Sequence, residues 1–154
     1  MTPIPRMLAP VRILLVEDNP GDVDLIREHL EASRVLLDLT VVSDGVEAEA
    51  RLRGTGRHAG MPRPDLVVLD LNLPRRSGAE VLASIKADPD LRAIPVVVLT
   101  SSDAEADIAR SYADGANCYI TKPVSLAGLQ TVVSALESFW FTIVRLPPAT
   151  KESS

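Results

Sequence analysis

Three acidic side chains, a hydroxyl and an ammonium group follow short apolar segments of the chain. Glu17 and Asp18 come directly after the first segment, and Asp70 follows the third. Thr100 follows the fourth segment, and Lys122 lies just beyond the fifth. If these segments are parallel strands of one sheet, their carboxyl ends share an edge and the five side chains lie close together.

Three carboxylates at such an edge would repel one another. At about 4 Å and an effective dielectric constant near 20, each pair costs on the order of 4 kcal/mol. Protonation of one acid or a bound cation would relieve the repulsion, and Lys122 alone does not neutralise three charges. Mg²⁺ suits a site with few protein carboxylates and room for water and phosphate oxygens. Phosphoryl transfer needs this set of groups, with a carboxylate as a nucleophile that forms an acyl phosphate.

Each of these residues also has an ordinary structural interpretation. An acidic residue at the end of a strand commonly caps the helix that follows, and Asp18 taken alone fits that role best. The combined set favours a functional site, because four separate segments of the chain each contribute a member.

Five short apolar segments are predicted to be strands. Near-continuous runs of β-branched and aliphatic residues are typical of strands that are buried on both faces of a parallel sheet. The predicted strands are 11–16, 37–42, 66–69, 96–99 and 118–120.

Amphipathic stretches that begin with helix-start signals lie between these segments. Pro20 behind a capping Asn19 opens a helix with Val23, Ile26 and Leu30 on one face. A serine three residues before a glutamate forms a capping box, and two such boxes predict helix starts: Ser77 with Glu80, and Ser102 with Glu105. A further helix is predicted over 44–53, and a last one from about Ser125. Alternating strands and helices predict an α/β fold, a doubly wound parallel sheet with helices on both faces.

The composition limits the class of protein. The chain has 154 residues and a formal net charge of −5, which suits one domain and argues against a nucleic-acid partner. A single cysteine, Cys118, excludes an internal disulfide and a thiolate zinc cluster. Apolar runs stay short of the roughly 18 residues that span a bilayer. Residues 1–10 do not form a convincing signal peptide. We therefore expect a soluble, cytoplasmic protein with no membrane partner.

Four motifs follow the predicted strands in order. They are Val-Glu17-Asp18-Asn, Leu-Asp70-Leu-Asn72-Leu-Pro74, Leu-Thr100-Ser101 and Tyr119-Ile-Thr-Lys122-Pro123. In this order they resemble the receiver domain of two-component response regulators, over about residues 11–139. The resemblance implies a flavodoxin-like (βα)5 fold with strand order 2-1-3-4-5, followed here by a short C-terminal extension.

The resemblance also implies a phosphoacceptor and a metal site. Asp70 would accept a phosphoryl group from a sensor histidine kinase, so the chain would catalyse only its own phosphorylation and dephosphorylation. Mg²⁺, for which Mn²⁺ or Ca²⁺ could substitute, would be held by Glu17, Asp18, Asp70 and the backbone carbonyl of Asn72. Many receivers carry Asp-Asp where this chain has Glu17-Asp18, so the longer Glu17 is expected to reach the metal differently from Asp18.

Four further residues acquire roles in the same way. Lys122 would pair with the phosphoryl oxygens, and the Thr100 hydroxyl would donate to one of them. Ser101 would add a backbone N–H, while Asn72 would also flank the phosphoryl group. Thr100 and Tyr119 would form the conformational switch, although Tyr119 fits equally well as an ordinary strand residue that covers the sheet edge.

A narrower resemblance concerns the segments between these motifs. The Asn-Pro-Gly-Asp segment at 19–22, the long loop before Asp65, the Gly-Ala-Asn-Cys118-Tyr segment and the Phe139-Trp140 ending are similar to small regulators paired with bacterial and cyanobacterial phytochromes. This resemblance implies a bacteriophytochrome as the partner kinase.

The C-terminal segment is unusually apolar and aromatic. Large apolar residues outside a core usually mark an interface, so we interpret this segment as the arm of a twofold homodimer, although it could also pack back on its own domain. The arm comprises Phe139, Trp140, Phe141, Ile143, Val144 and Leu146. The predicted organisation is a flexible leader at 1–10, a receiver domain at 11–140 and an extension at 141–154 that ends in a disordered tail.

Three other functions share parts of this pattern. A haloacid-dehalogenase-like phosphohydrolase would need a second acid two positions after its nucleophile, where this chain has Asn72. A flavodoxin would need a phosphate-binding loop after the first strand, where Glu17 and Asp18 would repel phosphate. A pseudo-receiver that acts only as an interaction module is disfavoured by the intact set of acids, hydroxyl and lysine.

Overall fold

The structure is a computed structural model that describes residues 10–31 and 37–122, apart from the side chains of His29 and Cys118. Its strands are β1 (Val11–Val16), β2 (Leu37–Val42), β3 (Leu66–Leu69), β4 (Val96–Thr100) and β5 (Cys118–Thr121). Its α-helices are α1 (Pro20–Glu31), α2 (Gly45–Arg53), α3 (Gly78–Ala87) and α4 (Glu105–Ala113). The helix predicted from about Ser125 and the predicted dimer arm, Phe139 to Leu146, lie outside the described residues.

The five strands form one parallel sheet in the order β2-β1-β3-β4-β5. The predicted α/β class and the flavodoxin-like strand order are therefore confirmed. Each predicted strand lies within one residue of its observed bounds, because the short apolar runs that predict buried strands end where polar residues begin.

Two apolar clusters cover the two faces of the sheet. Leu14 and Val16 of β1 lie in the cluster that includes residues of α2 and α3. Leu15 lies in the other cluster, together with Ile26 and Leu30 of α1. Successive strand residues point to opposite faces, so burial of both sets fixes β1 as a central strand, whose carboxyl end leads directly into Glu17 and Asp18.

Side-chain caps set the starts of the first three helices. The Asp22 amide donates to Asn19 Oδ1 (3.1 Å) at the start of α1, and the Glu47 amide donates to Asp44 Oδ1 (2.7 Å) at the start of α2. Both hydrogen bonds of the Ser77 capping box are present at the start of α3. These predicted starts are confirmed, since each cap satisfies an amide that has no partner within its helix.

The predicted capping box at Ser102 is wrong. Helix α4 begins at Glu105, and its N-cap residue is Ala104, which makes no side-chain capping bond. The Ser102 hydroxyl instead donates to Asp107 Oδ2 (2.5 Å), while the Tyr119 hydroxyl donates to the Ser102 carbonyl (2.7 Å). These two contacts hold Ser102 outside the helix.

Within residues 10–31 and 37–122, no helix has the length and apolar character needed to cross a membrane.

Candidate functional site

Glu17 and Asp70 lie next to each other at the carboxyl edge of the sheet. They follow the neighbouring strands β1 and β3, and backbone hydrogen bonds hold both residues in place. The Glu17 amide donates to the Val42 carbonyl (3.0 Å), and the Asp70 amide donates to the Val16 carbonyl (3.1 Å). Glu17 is 2% exposed and Asp70 is 5% exposed. Two carboxylates therefore lie in a poorly hydrated position, which is costly unless cations or donors stabilise them.

Asp18 completes an acidic cluster with these two residues. One carboxylate oxygen each from Glu17, Asp18 and Asp70 lies within 4.8 Å of the others. Asp18 is exposed whereas the other two acids are buried, so the cluster opens to solvent on the Asp18 side. Mg²⁺ prefers oxygen ligands and keeps several water molecules when the protein supplies few carboxylates. The donor set and the open side of the cluster therefore fit a hydrated divalent cation.

The electrostatics of Glu17 favour a positive neighbour. Burial raises the pKa of Glu17 above its ordinary value, a hydrogen bond from Lys122 opposes this increase, and the nearby Asp70 carboxylate adds to it. The Asn19 amide also donates to Glu17 Oε2 (3.1 Å). A cation in the cluster would stabilise the ionised form of Glu17.

Lys122 supplies a positive charge to the cluster. Its Nζ lies 2.7 Å from Glu17 Oε1, 2.9 Å from Asp22 Oδ2 and 3.0 Å from Asp70 Oδ2. Burial lowers the pKa of Lys122, but the hydrogen bonds to Glu17, Asp22 and Asp70 outweigh burial and raise it above the ordinary value. Lys122 is therefore a fixed cation at neutral pH, as the sequence analysis expects for a group that pairs with phosphoryl oxygens.

Asp22 is a member of the site that the sequence analysis missed. Its carboxylate contacts Lys122 from the first turn of α1. In the sequence, an acidic residue in the first turn of a helix indicates a favourable interaction with the helix dipole. A second signal was available, because α1 begins at the edge where the acidic cluster lies, and its first turn must therefore lie close to that edge.

Thr100 and Asn72 border Asp70 on the side of β4. Thr100 ends β4 and is fully buried. The backbone N–H of Asn72 donates to Asp70 Oδ1 (3.0 Å). The side-chain Nδ2 of Asn72 donates to Thr100 Oγ1 (3.5 Å). Ser101 follows Thr100 and is exposed. The structure thus brings Asp70, Asn72 and Thr100 together, with Ser101 adjacent in the chain.

Tyr119 lies on β5, two strands along the sheet from the strand that Asp70 follows, and it contacts the loop that follows Thr100. Its ring packs against the core cluster, and its hydroxyl donates to the Ser102 carbonyl (2.7 Å). The Tyr119 amide donates to the hydroxyl of Tyr112 in α4 (3.1 Å). Tyr119 therefore links β5 to both the β4–α4 loop and α4.

Comparisons with known proteins agree with this arrangement. The model of the response regulator receiver domain family matches residues 13–134. Response regulator Rcp1 of Synechocystis sp. is 48% identical over 140 residues, which cover 91% of this chain and 95% of Rcp1.

Two solved structures have the same fold. The phosphorylated cyanobacterial phytochrome response regulator RcpA matches with a TM-score of 0.83 and 50% identity, over 88% of this chain and 96% of RcpA. The Mn²⁺-bound form of Rcp1 matches with a TM-score of 0.83 and 48% identity, over 90% of this chain and 99% of that structure.

The family match and the identity to Rcp1 together settle the classification. Receiver domains are signalling proteins rather than classical enzymes, they interact with histidine kinases, and Mg²⁺ is their typical cofactor. The chain belongs to the response regulator receiver domain family.

Proposed function

We propose that Asp70 accepts a phosphoryl group from a sensor histidine kinase and that the phosphorylated chain signals through a change of conformation. The observation that carries this proposal is the environment of the Asp70 carboxylate. Lys122 Nζ contacts one of its oxygens, the Asn72 amide donates to the other, and two further acids adjoin it. This arrangement supplies the groups that phosphoryl transfer to a carboxylate needs.

In the proposed reaction, a carboxylate oxygen of Asp70 attacks the phosphorus atom of a phosphohistidine. The bond between phosphorus and the imidazole nitrogen breaks, its electron pair stays on the nitrogen, and an acyl phosphate forms. Glu17, Asp18, Asp70 and the carbonyl of Asn72 would hold Mg²⁺, which would supply positive charge to balance the charge of the phosphoryl oxygens. Lys122 pairs with these oxygens as a second cation.

Thr100 and Tyr119 would carry the change to the surface. The phosphoryl group offers new acceptor oxygens beside the buried Thr100 hydroxyl, whose one hydrogen bond within residues 10–31 and 37–122 is a long one from Asn72 Nδ2 (3.5 Å). Movement of Thr100 toward the phosphoryl group would displace the loop at Ser101 and Ser102, which Tyr119 contacts. A bound group shifts such an equilibrium only by its different affinity for the two states.

The chain would also catalyse its own dephosphorylation, by attack of water on the phosphoryl group along a path that Asn72 and Ser102 flank.

The similarity to RcpA supports a phytochrome-type kinase as the partner. Phosphohistidine donors are made from ATP, which supports a cytoplasmic location. The net charge of −5 supports a partner other than nucleic acid.

We also propose that the chain forms a homodimer through residues 139–146. The aromatic and apolar composition of this segment in the sequence supports the proposal. The receiver domain itself is proposed to span 11–140. Substitution of both Trp140 and Phe141 by alanine is expected to convert a dimer to a monomer in sedimentation equilibrium. An unchanged mass would contradict the proposal that the arm mediates dimerisation.

Intact-mass measurement after incubation with acetyl phosphate tests the phosphoacceptor. We expect one added phosphoryl group in the presence of Mg²⁺, no addition when Mg²⁺ is chelated, and no addition to Asp70→Asn. Asp24→Asn, an exposed acid on α1, is the control that keeps the reaction. A folded wild-type chain that takes up no phosphoryl group would support the pseudo-receiver, and repeated turnover of a small phosphate ester would support a phosphohydrolase.

Amide hydrogen exchange tests the switch. Addition of beryllofluoride with Mg²⁺ mimics the phosphorylated state and is expected to change exchange between Thr100 and Tyr119. Identical exchange in this region, with the adduct formed, would contradict the proposed change of conformation.

A further inference from the structure

The Lys122 ammonium has three carboxylate partners in the structure. Its Nζ contacts Glu17 Oε1, Asp22 Oδ2 and Asp70 Oδ2 at 2.7, 2.9 and 3.0 Å. An ammonium group has three N–H donors, so these contacts use its full donor capacity. Side-chain exposure is 12% for Lys122 and 29% for Asp22, which places this ion pair in a more shielded position than an ordinary surface pair.

Two of the three partners also belong to the acidic cluster. Glu17 and Asp70 lie in the group of oxygens that fits a metal, whereas that group in the described residues does not include Asp22. A divalent cation would therefore compete with Lys122 for Glu17 and Asp70, and it would also repel the ammonium directly because the charges are alike. Asp22 is the partner that remains available to Lys122 when the cation is bound.

Helix α1 holds Asp22 in a defined position. Asp22 lies in the first turn of α1, where its amide donates to Asn19 Oδ1 (3.1 Å). A backbone hydrogen bond closes this turn of the helix, since the Val23 amide donates to the Asn19 carbonyl (3.0 Å). The Asp22 carboxylate therefore approaches Lys122 from a helix, whereas Glu17 and Asp70 approach it from the ends of strands.

We propose that Asp22 is a positioning residue for Lys122, which it keeps beside Asp70 while the cation occupies Glu17 and Asp70. This inference rests on the proposed phosphoryl transfer to Asp70. Asp22 would not contact the phosphoryl group. It would act through Lys122, whose Nζ it restrains within reach of the phosphoryl oxygens.

Phosphorylation by acetyl phosphate, followed as a rate against Mg²⁺ concentration, tests the proposal. Asp22→Ala is expected to lower the rate at saturating Mg²⁺ by about tenfold, a size common for two contacting residues. Asp22→Asn keeps an oxygen acceptor for Lys122 and is expected to lie between wild type and Asp22→Ala. Asp24→Ala removes an exposed acid from the same helix and is expected to keep the wild-type rate.

A double-mutant cycle separates positioning from a merely structural role. On a Lys122→Met background, Asp22→Ala is expected to change the residual rate by less than about twofold, because the group that Asp22 positions is gone. Equal fold-losses on both backgrounds would overturn the proposal, as would an increased rate in Asp22→Ala, since that would mean that Asp22 withholds Lys122 from the reaction.

The measurement on the wild-type chain separates failure of this inference from failure of the proposed function. If the wild-type chain forms no adduct, the phosphoacceptor function itself fails. If the wild-type chain is phosphorylated at Asp70 and Asp22→Ala reacts at the same rate, only the positioning role fails. Circular dichroism melting of each variant checks that the helix remains folded.

Discussion

Lys122 Nζ lies 3.0 Å from Asp70 Oδ2, although Asp70 follows β3, Lys122 follows β5, and β4 lies between these two strands. Adjacent strands are about 4.8 Å apart, so the lysine has to reach across roughly two strand spacings. A long, flexible side chain with a compact charge can do this. The contact gives Asp70 a cation partner from a distant part of the chain.

Removal of this cation should strengthen metal binding. In Lys122→Met, the acidic cluster keeps its three carboxylates and loses the positive charge that competes for two of them. We expect the dissociation constant for Mg²⁺ to fall by about tenfold. This effect is much smaller than the repulsion between two unscreened charges in contact would give, because water and salt screen the site. Isothermal titration calorimetry measures this directly.

Lys86→Met is the matched control for that measurement. Lys86 donates to the carbonyls of Arg92 and Ile94, away from the acidic cluster, so its removal should leave Mg²⁺ affinity unchanged. Weaker Mg²⁺ binding in Lys122→Met than in wild type would show that Lys122 organises the acids rather than competing for them.

Gly78 should not tolerate a side chain. A Cβ at this position would lie 2.0 Å from the Asp70 carbonyl oxygen and 2.6 Å from Leu71 Cα, and backbone atoms cannot move aside as a flexible side chain can. We expect Gly78→Ala to lower the free energy of unfolding by about 3 kcal/mol, measured by urea denaturation, and to slow phosphorylation of Asp70.

Gly21→Ala provides the comparison for this substitution. Among the described residues, its added Cβ would meet the side-chain oxygen of Asn19 alone, at 3.3 Å, so a change in the free energy of unfolding within about 1 kcal/mol is expected. Equal stabilities of the two alanine variants would mean that the backbone at Asp70 can shift away from α3.

His58 should make stability depend on pH. Burial lowers the pKa of His58 below its ordinary value of 6.5, and the guanidinium groups of Arg57 and Arg51 lower it further. Glu47 Oε2 lies 3.9 Å from His58 Nε2, and the same carboxylate is ion-paired with Arg57. The unfolded chain therefore binds more protons than the folded chain as pH falls below 6.5.

His58 makes its full contribution to the free energy of unfolding above pH 6.5. This contribution is lost as the pH falls from there through the lower pKa of His58 in the folded state. Urea denaturation of wild type and His58→Asn at about pH 7.5 and pH 5.5 measures it. We expect wild type to lose more stability than the variant over this interval, and the comparison cancels groups such as Glu17 that both proteins share. Parallel losses would show that His58 is readily protonated in the folded state.

The Tyr119 hydroxyl should stabilise the loop after β4. Tyr119→Phe removes its hydrogen bond to the Ser102 carbonyl, and we expect a loss of about 1 kcal/mol together with faster amide exchange at residues 101–104. Tyr112→Phe is the control, because that exposed hydroxyl contacts β5 rather than this loop. Unchanged exchange in Tyr119→Phe would show that the loop is held by other contacts.

Much of this arrangement was predictable because its signals are local. Five apolar runs predicted the five strands, and the caps at Asn19 and Ser77 predicted two helix starts, since a strand or a cap depends on a few consecutive residues. The resemblance to receiver domains then supplied the strand order. The prediction failed at Ser102, where contacts with Asp107 and Tyr119 outweighed a local capping pattern.

The sequence by itself determined which side chains stand at the carboxyl ends of the strands, because apolar runs end immediately before Glu17 and Asp70, and Lys122 follows the last run after one further residue. Only the tertiary structure decided how these side chains pair. Lys122 and Asp22 are 100 residues apart in the chain, and their contact depends on the sheet order, on where α1 begins and on the reach of the lysine. Distances of this kind arise from packing of the whole domain, so no local pattern of residues can encode them.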